Sequence, residues 1–311
     1  MLEGERADQL VELAVHDALD LVERQVDPVV GHPALGKVVG ADALRAIARA
    51  DQGLAGGGSL RLLLAAATGF SEASVLAFQE KIVPSEAKER FLDFVERRSK
   101  GEPVAYILGH KEFYSLDLVV TPAVLIPRPE TELLVDLALA RKPASVLDLG
   151  TGSGAIALAI KRHLPGSRVV ASDSSAAALE IAKRNAVRLN LDVEWRHGRW
   201  FDAVAGERFE AIVANPPYVR AGDPHLAQLQ FEPQLAIESG ADGLDAMRIV
   251  IREAPAHLLP GGWLLLEHGM GQQEAVRSLL EAAGLETASG WPDLAGIPRV
   301  AGGRVKSRHG H

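Results

Sequence analysis

The 311-residue sequence has no cysteine, no long apolar run and no excess of basic residues. Without cysteine the chain forms no disulfide and no zinc–thiolate site, which fits a reducing compartment. No segment approaches the roughly 20 apolar residues that span a bilayer. The formal net charge is −8, whereas generic nucleic-acid binding needs Lys and Arg to neutralise phosphates. We therefore expect a cytoplasmic protein, taken as a monomer, that binds no membrane and makes no direct contact with nucleic acid.

Two kinds of apolar periodicity predict two domains joined by a linker, as the chain length also suggests. Helical spacing runs through the first hundred residues, so 1–100 is predicted to be an N-terminal helical domain. Two extended apolar segments, 104–107 and 113–120, predict a β-hairpin linker over 101–126. The remainder, 127–311, is predicted to be a second domain. The N-terminal helices are predicted within 10–21, 42–50, 59–67, 71–78 and 85–95, with a glycine-rich joint at 53–58.

Strands and helices alternate along the second half of the chain, which predicts an α/β fold with a parallel, doubly wound sheet. The predicted strands are 145–149, 168–172, 193–195, 209–214 and 263–267, with an antiparallel pair past Gly284. The predicted helices are 130–140, 151–164 and 176–190. Such sheets bind ligands at the carboxyl ends of their strands, so side chains at those ends are the candidates for a functional site.

The strand 209–214 ends in a rigid polar corner, Asn215-Pro216-Pro217-Tyr218. Neither proline donates a backbone N–H, and Pro216 keeps Asn215 out of the helical region, so the Asn side chain is held at the edge of the sheet. Its carboxamide offers an acceptor and donors to another planar amide or amino group, and Tyr218 offers a face to stack on that group. The alternative for these four residues is an ordinary turn with a packed tyrosine.

A glycine-rich loop follows the strand 145–149 and consists of Gly150, Thr151, Gly152, Ser153 and Gly154. Glycines let the backbone approach a ligand, and the next helix N-terminus presents N–H groups to it. The Gly-x-Gly-x-Gly spacing differs from the Gly-x-Gly-x-x-Gly of dinucleotide-binding folds. It favours a nucleoside with a carboxylate-bearing tail and disfavours a nicotinamide dehydrogenase.

Two more side chains are candidates for binding a nucleoside. Asp173 ends the second strand, where a carboxylate can accept both ribose hydroxyls. Its alternative role is a helix N-cap, which Ser174 or Ser175 could also provide. Trp200 follows the third strand and offers an indole to lie against adenine, although a lone Trp is more often part of a core. The histidines are too scattered to indicate a metal site.

These features occur in the order expected of an S-adenosylmethionine-dependent methyltransferase that acts on a planar nitrogen. Together with other motifs, they make the chain resemble the peptide chain release factor glutamine N5-methyltransferases of the HemK/PrmC type. The resemblance covers about Leu60 to Val305, and its IPRPETE run differs from the segment of the ribosomal-protein glutamine methyltransferases. The motifs that carry it are Phe113-Tyr114, IPRPETE at 126–132, DLGTGSGAIALA at 148–159, NPPY at 215–218, Asp223-Pro224-His225, Phe231-Glu232-Pro233 and Leu266-Glu267-His268-Gly269.

The resemblance implies that 127–311 is a class I, Rossmann-like methyltransferase domain. It follows an N-terminal helical bundle, 1–100, which is expected to dock the substrate, and a connecting hairpin, 101–126. It implies that the Gly150 to Gly154 loop, Asp173, Trp200 and Asn215 bind S-adenosylmethionine. The corner Asn215 to Tyr218 is then expected to hold the glutamine of the release-factor Gly-Gly-Gln motif. Two departures from the family pattern are present. Arg199 stands where the family usually has an acid that contacts adenine, so Asp202 is the candidate to replace that acid. Residues before Gly58 are not covered by the resemblance.

The expected mechanism follows from the weak nucleophile. The lone pair of an amide nitrogen is delocalised into the carbonyl, so alignment with the methyl donor is the main task of the protein. We expect the Asn215 side-chain oxygen and the Pro216 carbonyl to accept the two N–H groups of the substrate amide. The alternatives are an adenine-N6 methyltransferase on DNA or RNA, a glutamine methyltransferase on a ribosomal protein, and a module that binds the cofactor without chemistry. The acidic chain disfavours the first of these.

Overall fold

The computed structural model describes residues 59–77 and 85–307, and the chain divides into two compact units after Leu108. The helices predicted at 10–21 and 42–50 and the joint at 53–58 lie outside the described residues. The division between the units falls within the linker predicted over 101–126.

The described part of the first unit is helical, as predicted for 59–67, 71–78 and 85–95. The helices are α1 (Ser59–Thr68), α2 (Glu72–Ala77), α3 (Ser85–Ser99) and α4 (Val104–Leu108). Leu60, Leu63 and Leu64 lie on one face of α1 and pack with Phe91 and Val95 of α3 in a shared core. This is the i, i+3, i+4 pattern of an amphipathic helix that buries one stripe.

Helix α4 corrects the prediction of a strand at 104–107. The carbonyl of Pro103 accepts hydrogen bonds from the N–H groups of Tyr106 and Ile107, which starts a helical turn. Both side chains are buried. A four-residue apolar run has no period that separates a strand from a buried helix, and a preceding proline favours the first turn of a helix.

The second unit begins with a two-stranded antiparallel hairpin, β1 (His110–Phe113) and β2 (Leu116–Val119). A seven-stranded mixed sheet and its helices follow. The remaining strands are β3 (Ser145–Leu149), β4 (Arg168–Asp173), β5 (Glu194–His197), β6 (Phe209–Ala214), β7 (Leu258–Glu267), β8 (Glu286–Pro292) and β9 (Pro298–Arg304). The helices are α5 (Glu132–Arg141), α6 (Ala155–His163), α7 (Ala176–Leu189), α8 (Asp245–Glu253) and α9 (Gln273–Ala282).

The strand order of the large sheet is β5-β4-β3-β6-β7-β9-β8. The first five strands are parallel, and β9 pairs antiparallel with both β7 and β8. The predicted parallel sheet with a terminal antiparallel pair is therefore confirmed. Strand β7 begins five residues earlier than predicted, and helices α8 and α9 were not predicted from the sequence.

Apolar cores cover both faces of the sheet, as expected for buried parallel strands. Along β3, Val146 faces one core, and Leu147 and Leu149 face the other. The first core also contains the apolar faces of α5 and α6 and the hairpin, whereas the second contains those of α8 and α9. None of the helices in the described part of the chain combines the length and apolarity that a membrane span requires.

A buried asparagine of α7 ties the hairpin and the glycine loop together. The Asn185 side-chain oxygen accepts from the Val119 N–H at 2.7 Å, and its amide donates to the carbonyls of Val119 at 3.0 Å and Ser153 at 2.9 Å. The residue is fully buried. Its oxygen and its amide are thus both satisfied by backbone groups, as buried polar groups require.

We predict that Asn185→Ala destabilises the second unit by about 2 to 4 kcal/mol, because it leaves buried backbone groups without partners. Urea unfolding followed by tryptophan fluorescence measures this change, since all four tryptophans belong to the second unit: Trp195, Trp200, Trp263 and Trp291. Lys183→Ala, an exposed change on the same helix, is the control. A loss for Asn185→Ala no larger than that of the control would contradict the tethering role.

Candidate active site

The two motifs singled out in the sequence lie side by side at the carboxyl edge of the sheet. Leu149, the last residue of β3, pairs in register with Ala214, the last residue of β6. Gly150 and Asn215 are therefore the next residues on two neighbouring parallel strands. The chain leaves β3 toward β4 and β5 on one side and returns to β6 on the other. A reversal of strand order of this kind creates the crevice where α/β sheets bind ligands.

The glycine loop depends on backbone conformations that favour glycine. Gly150, Gly152 and Gly154 have φ angles of +72°, +56° and +84°. A Cβ at Gly152 would meet no atom within 4 Å, whereas one at Gly154 would lie 3.1 Å from the Leu158 side chain. Gly152 thus leaves open space beside the loop, and Gly154 permits close packing against α6. Because of these left-handed turns, α6 begins at Ala155 rather than at the predicted residue 151.

Asp148 lies beneath this loop and was given no role of its own by sequence reasoning. One of its oxygens, Oδ2, accepts from the Thr151 hydroxyl at 2.6 Å and from the Ala157 N–H at 3.2 Å. The other, Oδ1, is buried and has no hydrogen-bond partner among the described residues. Burial raises the pKa of Asp148 to about 7, although the hydrogen bonds from Thr151 and Ala157 oppose the shift. Its sequence signal is an acid inside an apolar strand.

Asp173 contacts the glycine loop directly. Its Oδ2 accepts from the Gly152 N–H at 2.9 Å, and its Oδ1 accepts from the Ser175 N–H at 2.8 Å. The N-cap of α7 is Ser175, whose hydroxyl accepts from the Ala178 N–H. The alternative role of Asp173 as the cap is therefore wrong, and one of its carboxylate oxygens binds the glycine loop.

The Trp200 ring lies close to the other side of the loop. A Cβ at Gly150 would stand 3.8 Å from Cζ3 of the indole. The ring also packs against the core on this face of the sheet, and its buried Nε1 has no partner among the described residues. The packing of Trp200 against this core is therefore observed, and its ring also borders the glycine loop. Arg199 is exposed, and Asp202 lies in the short 3-10 helix that begins at Trp200.

A chain of hydrogen bonds links Asn215 to three other side chains. The Asn215 amide donates to the Thr131 hydroxyl at 3.2 Å, and that hydroxyl donates to Oε2 of Glu267 at 2.6 Å. Oε1 of Glu267 accepts a longer contact from the Tyr218 hydroxyl at 3.4 Å. Glu267 ends β7, which neighbours β6 in the sheet. Hence the corner is not an isolated turn, and its tyrosine faces a buried carboxyl group.

Burial dominates the electrostatics of this cluster. It raises the pKa of Glu267 to about 7, although hydrogen bonds from Thr131 and Tyr218 act in the opposite direction. The side chain is only 2% exposed. Burial, followed by the nearby Glu267 charge, also raises the pKa of Tyr218, so its hydroxyl stays protonated at neutral pH.

The IPRPETE run, residues 126–132, is held in place by contacts at both of its ends. Arg128 forms an ion pair with Glu232, and the same buried carboxylate accepts from the Ile126 N–H at 3.0 Å. At the far end, Thr131 reaches Glu267 and Glu132 accepts from the Tyr114 N–H at 2.9 Å. Arg128 is therefore fixed by a buried carboxylate and is not part of a solvated helix start. Its partner lies 104 residues away in sequence, beyond any local pattern.

A cavity of about 600 Å³ opens next to Tyr218. Its rim carries side chains of both charge signs, including Arg220, Asp223, Asp242 and Arg299. Its lining includes Tyr218 of the corner but none of the nucleoside candidates: the glycine loop, Asp173 and Trp200 are not part of it. Within the described residues, no group of three or more His, Cys, Asp or Glu side chains has a metal-binding arrangement.

Two protein-family models match the sequence. Residues 129–231 match the methyltransferase small domain, and residues 42–109 match the PrmC N-terminal domain. The first match includes the glycine loop, Asp173 and the Asn-Pro-Pro-Tyr corner.

Similar proteins cover most of the chain. It is 54% identical over 225 residues to the release factor glutamine methyltransferase of Xylella fastidiosa (strain Temecula1), covering 70% of this chain and 82% of that protein. It is 52% identical over 249 residues to the release factor glutamine methyltransferase of Pseudomonas aeruginosa, covering 78% and 90%. A crystal structure of a methyltransferase from Pyrococcus furiosus matches with a TM-score of 0.50 at 19% identity, covering 68% of this chain and 97% of that one. That likeness shows the fold, and with the family models it confirms the methyltransferase domain.

We predict a pH-dependent effect of Glu267→Gln on stability. The pKa of Glu267 rises from 4.5 in the unfolded chain to about 7 in the folded one. Between pH 4.5 and 7 the unfolded chain has lost the Glu267 proton, whereas the folded protein still holds it. The free energy of unfolding of the wild type therefore falls by about 3 kcal/mol over this range, and that of the Gln variant does not. Urea unfolding at pH 5, 6 and 7.5 measures the difference. Glu274→Gln, an exposed change, should show none, and parallel pH profiles for wild type and Glu267→Gln would refute the buried, raised pKa.

Proposed function

The chain belongs to the release factor glutamine methyltransferase family, and we propose that its site methylates the glutamine of the Gly-Gly-Gln motif in peptide chain release factors. The enzyme transfers the methyl group of S-adenosylmethionine to the side-chain amide nitrogen, N5. Membership of the family confirms the resemblance seen in the motifs. The roles of single residues below are our assignments.

One observation carries this assignment more than any other. The in-register pairing of Leu149 with Ala214 sets the glycine loop and the Asn-Pro-Pro-Tyr corner next to each other. A cofactor bound by the loop and an amide held at the corner then meet at the same sheet edge. A transferase needs this adjacency, because its two reactants must be aligned in one crevice.

The residues at the loop fit S-adenosylmethionine. The absence of a side chain at Gly150 keeps the gap beside the Trp200 ring open, which suits a flat adenine. Each Asp173 oxygen accepts one backbone N–H, and a carboxylate has lone pairs left for two ribose hydroxyls. The space beside Gly152 and the start of α6 suit the carboxylate-bearing tail. We assign cofactor binding to the 150–154 loop, Asp173, Trp200 and Asn215.

The corner supplies two acceptors for the substrate amide. Among the described residues, none donates a hydrogen bond to Asn215 Oδ1 or to the Pro216 carbonyl, whereas the Asn215 amide is already engaged with Thr131. These two oxygens accept the two N–H groups of the glutamine side chain. Pro217 stiffens the corner, and Tyr218 packs its ring beside the bound carboxamide. With both protons held, the nitrogen turns its lone-pair face toward the methyl donor.

The reaction then requires alignment more than acid–base catalysis. When bound, the cofactor supplies a methyl group on a positively charged sulfur, a strong electrophile. The new bond joins the substrate nitrogen and the methyl carbon, the sulfur keeps the electrons of the broken bond, and one N–H proton leaves to solvent after the transfer. Orientation alone contributes several kcal/mol, up to about 7 to 11 in favourable systems. No strong base is needed at Asn215, and its neutral carboxamide is the appropriate group.

The release factor is the partner that family membership supports. We propose that the cavity next to Tyr218 receives the residues that flank its glutamine, and that the N-terminal helical domain contributes to docking. Translation takes place in the cytoplasm, so we propose that the enzyme acts there, as a monomer and without direct contact with nucleic acid or a membrane.

We predict that Asn215→Ala lowers kcat for release-factor methylation by about 100-fold, since one preorganised contact to the reacting amide is lost. The dissociation constant for S-adenosylmethionine should change by less than about 3-fold, because the 150–154 loop and Asp173 remain. Turnover with labelled cofactor and isothermal titration measure the two quantities. Equal losses in both would count against the assignment of Asn215 to the substrate.

Asp173→Ala is predicted to have the opposite profile. It removes the acceptor for the ribose hydroxyls, so cofactor affinity should fall by about 10-fold or more, whereas kcat at saturating cofactor should fall much less. The same two assays test this, with Asp192→Ala, an exposed acid near the next strand, as the control. Unchanged cofactor affinity in Asp173→Ala would refute the ribose contact.

A further inference from the structure

We propose that Thr131 is a positioning residue that fixes which way round the Asn215 carboxamide points, through a one-directional chain of hydrogen bonds that starts at Glu267. This inference rests on the proposed function, in which the Asn215 oxygen must face the substrate. Thr131 touches neither substrate nor cofactor in this account and acts only through Asn215.

The chain of contacts is short and buried. The Thr131 hydroxyl is 2.6 Å from Oε2 of Glu267 and 3.2 Å from Nδ2 of Asn215. Thr131 is 4% exposed and Glu267 is 2% exposed. Water therefore has little access to these groups, and each hydrogen bond must be satisfied by the side chains themselves.

The donor and acceptor roles of Glu267, Thr131 and Asn215 set the direction of this series of hydrogen bonds. An ionised carboxylate accepts and never donates, so Thr131 must give its one hydroxyl hydrogen to Glu267. The Thr131 oxygen is then only an acceptor toward Asn215, and it must meet the amide nitrogen rather than the amide oxygen. Asn215 Oδ1 is left to face the crevice, where no described residue donates to it.

The reversed carboxamide would not support the reaction. It would turn the Asn215 NH₂ group toward the NH₂ of the substrate glutamine, so that two donors would face each other. At the other end, the Asn215 oxygen would face the Thr131 oxygen, and both are acceptors. An asparagine side chain is nearly symmetric in shape, so packing alone distinguishes its two orientations poorly. The Thr131 oxygen distinguishes them, because it accepts from the amide nitrogen and cannot donate to the amide oxygen. The reversed orientation would leave a buried polar group unpaired.

Thr131 is itself held on a fixed piece of backbone. Its N–H donates to the carbonyl of Arg128 at 3.1 Å, within the turn that begins the 3-10 helix Pro129–Thr131. Arg128 is ion-paired to the buried Glu232. The IPRPETE run therefore delivers one hydroxyl to the corner from a segment 84 residues away in sequence.

The test compares Thr131→Val, which keeps the shape and loses the hydroxyl, with Thr131→Ser, which keeps the hydroxyl. At pH 8, where Glu267 is mainly ionised, Thr131→Val should lower kcat for release-factor methylation by about 10-fold or more. The KM for S-adenosylmethionine should stay within about 2-fold, and Thr131→Ser should retain activity within about 3-fold of wild type. A Val variant as active as wild type, or a Ser variant as impaired as Val, overturns the proposal.

A double-mutant cycle separates positioning from general stability. In the Asn215→Ala background, Thr131→Val should change kcat by less than about 2-fold, because there is no carboxamide left to orient. Independent, multiplicative losses would mean that Thr131 acts in another way and would overturn the proposal. A fully active Asn215→Ala variant would contradict the proposed contact between Asn215 and the substrate. An impaired Asn215→Ala variant together with a fully active Thr131→Val variant would contradict only the inference about Thr131.

A spectroscopic measurement covers the case in which Thr131→Val does not fold. The sequence has three asparagines, Asn185, Asn190 and Asn215, so ¹⁵N-asparagine labelling yields three side-chain amide pairs. Buried Asn185 and exposed Asn190 are internal references for slow and fast exchange with water. In the wild type, one Asn215 N–H should exchange more slowly than those of Asn190. Exchange of both Asn215 protons as fast as at Asn190 overturns the proposal.

Discussion

The register between two neighbouring parallel strands is the constraint on which the rest of the site depends. Leu149 and Ala214 end β3 and β6 at the same level, so the glycine loop and the Asn-Pro-Pro-Tyr corner emerge next to each other. A shift by one residue would turn the strand side chains to the opposite cores and separate the two motifs. The apolar layers on both faces of the sheet hold that register. Packing of the fold thereby supplies the alignment that transfer to a weak nucleophile requires.

The site combines this rigid edge with carboxyl groups that are costly to bury. Asp148 and Glu267 both lie at the ends of central strands, and burial raises the pKa of each to about 7. Such groups lower stability at neutral pH and are typical of functional sites. Asp148 supports the glycine loop, and Glu267 supports the corner through Thr131 and Tyr218. The ion pair of Arg128 with Glu232 fastens the segment that carries Thr131. The polar contacts of Asp148, Glu267 and Arg128 thus each hold another part of the site in place.

Much of the fold and the two main motifs could be predicted from the sequence, because their signals are local. The strands 145–149 and 209–214 are continuous apolar runs bounded by turn residues, and both have the predicted limits. The segment 104–107 was predicted wrongly because a short apolar run has no period. The late start of α6 follows from left-handed glycine conformations that spacing alone does not specify. The contact of Thr131 with Glu267 joins residues 136 apart, so no local pattern could have predicted it, although Glu267 ends a buried apolar run.

The central claim is that this site methylates a side-chain carboxamide held at the proline-stiffened corner. The most direct measurement incubates the protein with S-adenosylmethionine carrying an isotopically labelled methyl group and with a purified release factor, and then maps the label by tandem mass spectrometry. We predict one labelled methyl group on the side-chain nitrogen of the glutamine in the Gly-Gly-Gln motif. Label on another residue, or no transfer by protein that binds the cofactor, would contradict it.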